Sequence, residues 1–298
     1  VETDMFGLSY KQQKMVIVCS FLLAPLFFLT VFSLYPASYL IYLSLTDWDG
    51  ISKVKEWVGF ANYRDVFRME DILNAFSHNL IYLFWGMFQI ALGLFAALIV
   101  NSRLKGRNMY RVILFMPYIM NGVAVAYMFN YVYHTEYGSL NAMLRFIGLD
   151  NLTQSWFGSP KLVNHALAFI SVWKYTGFNM VIFLAALQSI PSEMIEAARI
   201  DGAKRHQIVW HIILPNLITV IELLLFLTII GSLEVFDLPF LLTAGGPLGA
   251  SETFVTMTVD TAFEFANFGL ASAMSTTLMA VVTLLIFTQR MLIKRWES

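Results

Sequence analysis

Charge is scarce in this chain: 19 Lys and Arg and 20 Asp and Glu among 298 residues, or 13%. That is roughly half the share of an average globular protein, too little to solvate the surface of a soluble domain of this length. The formal net charge of −1 supplies neither a basic field for nucleic acid nor an acidic tail. Cysteine is nearly absent as well. Cys19 stands alone, which excludes an intrachain disulfide and any cysteine metal cluster; within the first apolar run it reads as a small packing or lipid-facing residue. The chain has no Gly-x-x-x-x-Gly-Lys-Ser/Thr phosphate loop, no Gly-x-Ser-x-Gly and no His-Glu-x-x-His. The usual signatures of a nucleotide hydrolase, a serine hydrolase and a zinc hydrolase are therefore missing. His206 and His211 are five apart, off one helical face, so no metal ligand set and no catalytic residue is assigned.

What is present is hydrophobic length. Apolar residues make up 58% of the chain and the mean hydropathy is +0.66. Runs near 16–45, 76–100, 112–133, 163–189, 216–242 and 266–292 each reach the roughly 20 residues needed to cross a bilayer. These runs predict an all-α integral membrane protein of about six transmembrane helices, with one membrane domain over 16–293 after a short segment, 1–15. Lys11 and Lys14 precede the first run much as a signal peptide's basic region would, but the run is too long and lacks a suitably placed small-residue cleavage site, which favours a retained span.

Orientation follows from the positive residues, which are retained on the cytoplasmic side. Lys11, Lys14, Arg103, Lys105, Arg107, Arg111, Arg199, Lys204, Arg205, Arg290, Lys294 and Arg295 fall on one side. The other side has Lys53, Lys55, Arg64, Arg68, Arg145 and Lys161, and the loop near 243–263 has no Lys or Arg at all. Both termini are expected in the cytoplasm. Asp49-Gly50, Gly138-Ser139 and Gly158-Ser159-Pro160 mark turns in outer loops too small to be separate domains.

The most polar inner segment runs from Pro191 to Pro215. Ser192 is an expected helix N-cap and Glu193 falls in the first turn, where a carboxylate suits the helix dipole. Ala197, Ala198 and Gly202 permit close approach to another surface, and Gly202 is placed to end the helix with a positive φ. A second helical stretch is expected over Lys204 to Ile213, with Pro215 in the first turn of the next span.

Glu196-Ala197-Ala198, Asp201-Gly202-Ala203 and Leu214-Pro215 together resemble the coupling loop of permease subunits in binding-protein-dependent ATP-binding-cassette importers. Further segments resemble the carbohydrate branch, the maltose and glycerol-phosphate type. They are Gly59-Phe60-Ala-Asn62-Tyr63, Arg107 through Pro117-Tyr118, Gly138-Ser-Leu-Asn141, Trp173-Lys174-Tyr-Thr-Gly177-Phe178, Leu184-Ala-Ala-Leu-Gln188, Phe236-Asp237 and Thr243-Ala-Gly-Gly-Pro247. The resemblance implies the type I importer permease fold in a bacterial cytoplasmic membrane. It also implies a second homologous permease subunit, two ATPase subunits that carry ATP and magnesium, and an extracytoplasmic solute-binding protein. No cofactor is implied for this chain. Glu196, Ala197, Ala198, Asp201 and Gly202 would form the ATPase-coupling segment, with Glu196 as polar anchor.

Polar groups inside spans are read by default as facing a cavity or a partner. Lys174 lies mid-span between Trp173 and Tyr175, shortly before Gly177 and Asn179. The fifth span carries Thr228, Ser232, Glu234 and Asp237, and Pro117-Tyr118 with Asn121-Gly122 are placed to open the third. Hydroxylated rings need donors, acceptors and aromatic faces, and the resemblance implies a mid-membrane sugar site built from these three stretches, so Tyr118, Asn121, Gly122, Trp173, Lys174, Gly177, Asn179, Thr228, Ser232, Glu234 and Asp237 are the candidate sugar contacts. Each has a plainer reading: Lys174 pairing with Glu234 or Asp237 to neutralise a buried charge, Trp173 packing, and Asp237 ending its helix near the outer surface. Lys174 also raises an anionic substrate, such as a uronate oligosaccharide or a phosphorylated polyol. The alternatives are an ATP-binding-cassette permease for amino acids or peptides, which would lack the carbohydrate-type segments, an ion-coupled secondary transporter, which would not need the Glu196 loop, and an intramembrane enzyme.

Overall fold

In a computed structural model of the chain the described residues are 10–101 and 106–297, with side chains described to residue 293. Arg103 and Lys105 of the orientation count lie outside these, as do residues 1–9, and the side chains of Lys294 and Arg295 are not described. The described residues form two compact units, one up to residue 66 together with 261–276 and the other between 67 and 260 together with those from 277 on.

The first unit opens with α1 (Tyr10–Leu29), none of whose residues is buried, and continues through a π-helical turn, Thr30–Leu34, into α2 (Tyr35–Leu43). Pro36 explains the turn: it has no N–H for the carbonyl four residues back and its ring would press on that carbonyl, so the helix widens just ahead of it. A short hairpin follows, β1 (Thr46–Asp47) with β2 (Glu56–Trp57), and then α3 (Ala61–Val66). Asn62 explains the Gly59-to-Tyr63 segment. Buried, it donates from Nδ2 to the carbonyls of Ser44 and Thr46, both at 2.9 Å, and so pins the end of the first span to the hairpin.

The second unit contains α4 (Glu70–Val100), α5 (Arg107–Ile119), α6 (Gly122–Val132), α7 (Ser139–Phe146) and α8 (Val163–Gln188). The Pro191 segment supplies α9 (Ser192–Ile200), α10 (Arg205–Ile208) and α11 (Leu214–Asn216). Thereafter come α12 (Ile218–Leu233), α13 (Asp237–Leu242), α14 (Phe254–Phe263) and α15 (Phe268–Glu297), the last two reaching into the 261–276 stretch of the first unit. Among the described residues five helical stretches are long and apolar enough to span a membrane, or six with α5 and α6 taken as one broken span. That agrees with the hydropathy reading.

The third span breaks where its sequence suggested. Met120 and Asn121 are extended, α5 and α6 meet at 100°, and the Asn121 side chain accepts from the Val123 N–H at 2.8 Å to cap α6. The entry to the fifth span differs in detail from the sequence reading. Pro215 belongs to the three-residue α11, preceded by a second π-helical turn, Val209–Ile213, and the spanning helix starts only at Ile218. The mechanism is that of Pro36, a widened turn just before a proline.

Apolar packing holds α4 against α8. Ala97, Met180, Phe183, Leu217 and Leu224, each almost fully buried, belong to one cluster, and Val125, Val163, Leu167 and Ile170 to a second around α6 and α8.

Candidate functional site

The residues of the second unit enclose a cavity of about 480 Å³ between spans, inside the roughly 300–1,000 Å³ range of small-molecule sites. Eight sequence candidates line it: Tyr118, Gly122, Lys174, Asn179, Thr228, Ser232, Glu234 and Asp237. Each is presented by a helix or a helix break. The bend between α5 and α6 exposes Tyr118 and Gly122, the long α8 contributes Lys174 and Asn179, and the fifth span stops at Leu233 and restarts at Asp237. Asp237 therefore opens the first turn of α13 on the cavity wall rather than closing a helix at the outer surface; a carboxylate is favoured at that end.

Aromatic faces lie beside these polar groups. Tyr118 stacks on Phe178 with centroids 4.7 Å apart and meets Tyr175 edge-on at 5.8 Å. The Lys174 ammonium sits 5.5 Å from the centre of the Tyr175 ring. Among the described residues Lys174 has no carboxylate within 4.0 Å, so the direct pairing with Glu234 or Asp237 considered from sequence does not form. Asn179 is almost fully buried and its Nδ2 has no hydrogen-bond partner.

Three candidates stand apart from the cavity. Asn121 spends its side chain on the α6 cap, Trp173 packs edge-on against Phe129 at 5.2 Å, and Gly177 faces the backbone of Leu114 so closely that a β-carbon would collide with its carbonyl. Gly177 thus serves the crossing of α5 and α8.

Sequence reading missed the second span. Tyr82, Gly86 and Gln89 on α4 line the cavity, and Ser171, Tyr175, Phe178 and Gly231 complete the polar and aromatic wall. The signal was available: Asn79, Tyr82, Gly86, Gln89 and Gly93 recur at three- and four-residue spacing along an otherwise apolar run, one face of a helix. Asn79, fully buried just beyond the cavity, donates to the carbonyls of Ser232 and Leu233 at 2.9 and 3.0 Å and accepts from the Phe254 N–H at 2.9 Å. The Thr243-to-Pro247 segment is held by its own hydroxyls: Thr243 Oγ1 lies 2.7 Å from Ser251 Oγ, which donates to the Gly246 carbonyl at 2.6 Å.

At the Pro191 segment, Pro191 is the residue before α9 and Ser192 is the first helical position, so Ser192 does not cap the helix as its type suggested. Glu193 does fall in the first turn. The helix ends in a Schellman arrangement: Gly202 has φ +81°, its N–H reaches the Arg199 carbonyl at 3.1 Å, and the Ala203 N–H reaches that of Ala198 at 2.9 Å. Gln207 accepts from the Lys204 N–H at 2.7 Å and starts the next turn. The two faces of α9 differ sharply. Ile195 and Ala198 pack inward on the apolar cluster of Phe183 and Leu187, whereas Glu196, Ala197, Asp201 and Ile200, the last 86% exposed, face out. Ala198 therefore anchors α9 to the body of the unit and is not on its outer face.

A bundle of spanning helices around a polar, aromatic cavity, with an exposed short helix between two spans, defines a membrane permease. Residues 89–298 match the family of binding-protein-dependent transport system inner membrane components, and the chain belongs to that family. It is a multi-pass inner-membrane transport component. A probable ABC transporter permease of Bacillus subtilis strain 168, YurN, is 32% identical over 93% of this chain and 96% of its own length. The Streptococcus mutans permease protein MsmF, of a multiple sugar-binding transport system, is 30% identical over 93% of this chain and 95% of its own. A solved bacterial ABC transporter for import of the acidic polysaccharide alginate contains a chain of the same fold, with a TM-score of 0.82, 23% identity and coverage of 95% of this chain and 96% of that one.

Proposed function

We propose that this chain is the sugar-conducting permease subunit of an ATP-driven importer, which takes a sugar or oligosaccharide from an extracytoplasmic solute-binding protein and passes it across the cytoplasmic membrane. The observation that carries the reading is the cavity itself: the Tyr118 and Phe178 stack provides a flat apolar face, and Gln89, Ser171, Lys174, Thr228, Glu234 and Asp237 surround it with donors and acceptors. Sugar rings present just such an alternation of apolar faces and hydroxyl edges. The multiple sugar-binding system of the Streptococcus mutans relative supports the same substrate class. Lys174 on the wall keeps an acidic sugar, such as a uronate oligosaccharide, among the substrates to be tried first.

In this reading the membrane domain covers 16–293, both termini are cytoplasmic, and a second homologous permease subunit completes the pathway. Two separate ATPase subunits hold ATP and magnesium and hydrolyse the nucleotide. Their closure pushes on α9 through Glu196, Ala197, Asp201 and Gly202; the inward Ala198 face passes the motion to the spans, so that the cavity opens alternately to each side.

Proteoliposomes containing the chain with its co-encoded permease, ATPase and binding-protein partners test this. Uptake of a labelled mono- or oligosaccharide should require ATP and the binding protein. Uptake confined to amino acids or peptides would refute the sugar assignment, and uptake by the chain alone along an ion gradient would refute the importer.

A further inference from the structure

The Lys174 ammonium and the Asp237 carboxylate face one another across Gly122. Lys174 Nζ and Asp237 Oδ2 each lie 3.9 Å from the point where a Gly122 β-carbon would stand. They are therefore within twice that distance of each other, yet not within the 4.0 Å of an ion pair. A cation and an anion set this close attract strongly wherever water is excluded. The bend between α5 and α6, which places Gly122, and the restart of the fifth span at Asp237 hold the two groups apart across open space.

We infer that the space between Lys174 and Asp237 is a diol clamp, in which Lys174 donates to one hydroxyl of a sugar ring while the neighbouring hydroxyl donates to Asp237. The inference rests on the sugar reading above and names the chemical group that the cavity recognises. A hydrogen bond to each hydroxyl oxygen takes about 2.8 Å, so a gap wider than 4.0 Å is too wide for direct contact between the charges and leaves room for bridging hydroxyls. Ammonium donates only and carboxylate accepts only, whereas a hydroxyl does both. A vicinal diol is thus satisfied at both ends and bridges the two charges. Glu234 lines the same cavity, so two carboxylates and one ammonium face the substrate, and Lys174 serves it as a donor. Neutral rings and uronate rings both carry such a pair of hydroxyls, and the inference concerns the hydroxyls rather than the charge of the whole chain. Gly122 has no side chain to fill the gap; alanine there would put a methyl group between the two charges, in ordinary contact with both.

The test uses the complete importer in proteoliposomes, with labelled maltotriose, raffinose and tri-galacturonate as probes, and variants compared on the probe that wild type transports. Lys174→Gln keeps a donor and Asp237→Asn keeps an acceptor, and both should transport within a few-fold of wild type. Lys174→Met and Asp237→Leu should each raise the KM for uptake roughly tenfold or more, the usual effect of losing a hydrogen bond to a charged group. Gly122→Ala should raise KM in the same way. Assembly of each variant with its partner subunits, followed by size-exclusion chromatography, separates a binding loss from misfolding.

If Lys174→Gln is as damaging as Lys174→Met on tri-galacturonate, Lys174 is a counter-ion and the clamp is wrong, while the sugar reading stands. If Lys174→Met and Asp237→Leu both transport like wild type, the gap is not a binding element. Transport of amino acids or peptides in place of all three sugars removes the sugar reading and the clamp together.

Discussion

Asn79 donates from its buried amide to the carbonyl oxygen of Ser232 at 2.9 Å, and this bond fixes where the fifth span breaks. A helix that stops inside a membrane leaves its last carbonyls without intrahelical partners, and lipid supplies none. Asn79 takes up those of Ser232 and Leu233 and, with its own oxygen, holds the Phe254 N–H. Thr253 Oγ1 donates to the Val235 carbonyl at 2.7 Å, within the break. Without these bonds the restart at Asp237, and with it one wall of the cavity, would have no fixed position.

Asn79→Leu therefore strands two carbonyls and one N–H in the interior. The cost should be about 2–4 kcal/mol, set by the desolvation of unpaired buried groups. Thermal unfolding of the detergent-purified assembly should show a lowered midpoint. An unchanged midpoint in Asn79→Leu would mean that water or a partner chain takes over the three groups.

Gly177 and Gly231 make a controlled pair. Gly177 abuts the Leu114 backbone, so Gly177→Ala must push α5 away from α8, an overpacking that costs about 1–3 kcal/mol. Gly231 lies on the cavity wall with nothing within 4 Å of an added β-carbon, so Gly231→Ala should leave stability unchanged or slightly raised. Expression yield and melting temperature of the two variants, measured side by side, check the contrast.

Asp49 offers a pH readout outside the spans. The Ser52 hydroxyl and the Ser52 and Ile51 N–H groups bond its carboxylate, at 2.6 to 2.9 Å, and hold its pKa at about 2 against an ordinary 3.8. A lowered carboxylate pKa stabilises the turn fully above the unfolded value and loses that contribution as the pH falls through the folded one. Amide exchange at Ile51 and Ser52, corrected for intrinsic rates, should stay protected at pH 5 and lose protection between pH 4 and pH 2. Asp49→Asn should remove that pH dependence.

The six apolar runs, the break at Met120 and Asn121 and the helical turn ending at Gly202 were all legible because each follows from one local rule: apolar length, a capping amide, a positive φ. The cavity was legible in part. Lys174, Glu234 and Asp237 are conspicuous as charges within apolar sequence, but Asn79, Tyr82 and Gln89 are uncharged and scattered along α4, and only their common face brings them to notice. Gly177 and Trp173 were read as path residues because a glycine or an aromatic inside a span suits packing and binding equally. Which of the two applies is decided by the neighbouring helix, Leu114 of α5 in one case and Phe129 of α6 in the other. No residue on α8 itself carries that information.

Ile200 separates docking from folding in the proposed coupling role of α9. It is 86% exposed at the end of α9, and a surface substitution of this kind changes stability by no more than about 0.5 kcal/mol. Ile200→Asp should thus leave the melting temperature of the permease unchanged, yet, with α9 docking the ATPase as proposed, lower ATPase stimulation by the loaded binding protein, because an apolar docking contact would become a buried carboxylate. Gly202→Ala differs in mechanism. An alanine held at φ +81° costs about 1–2 kcal/mol, so it strains the Schellman turn, tilts α9 and reduces stability and stimulated hydrolysis together. The two variants are assayed in the same reconstituted assembly for melting, for co-purification of the ATPase and for stimulated hydrolysis. If Ile200→Asp co-purifies and hydrolyses like wild type, the outer face of α9 is not the docking surface, and the coupling role falls to the exposed residues of the next turn, Arg205, His206 and Trp210.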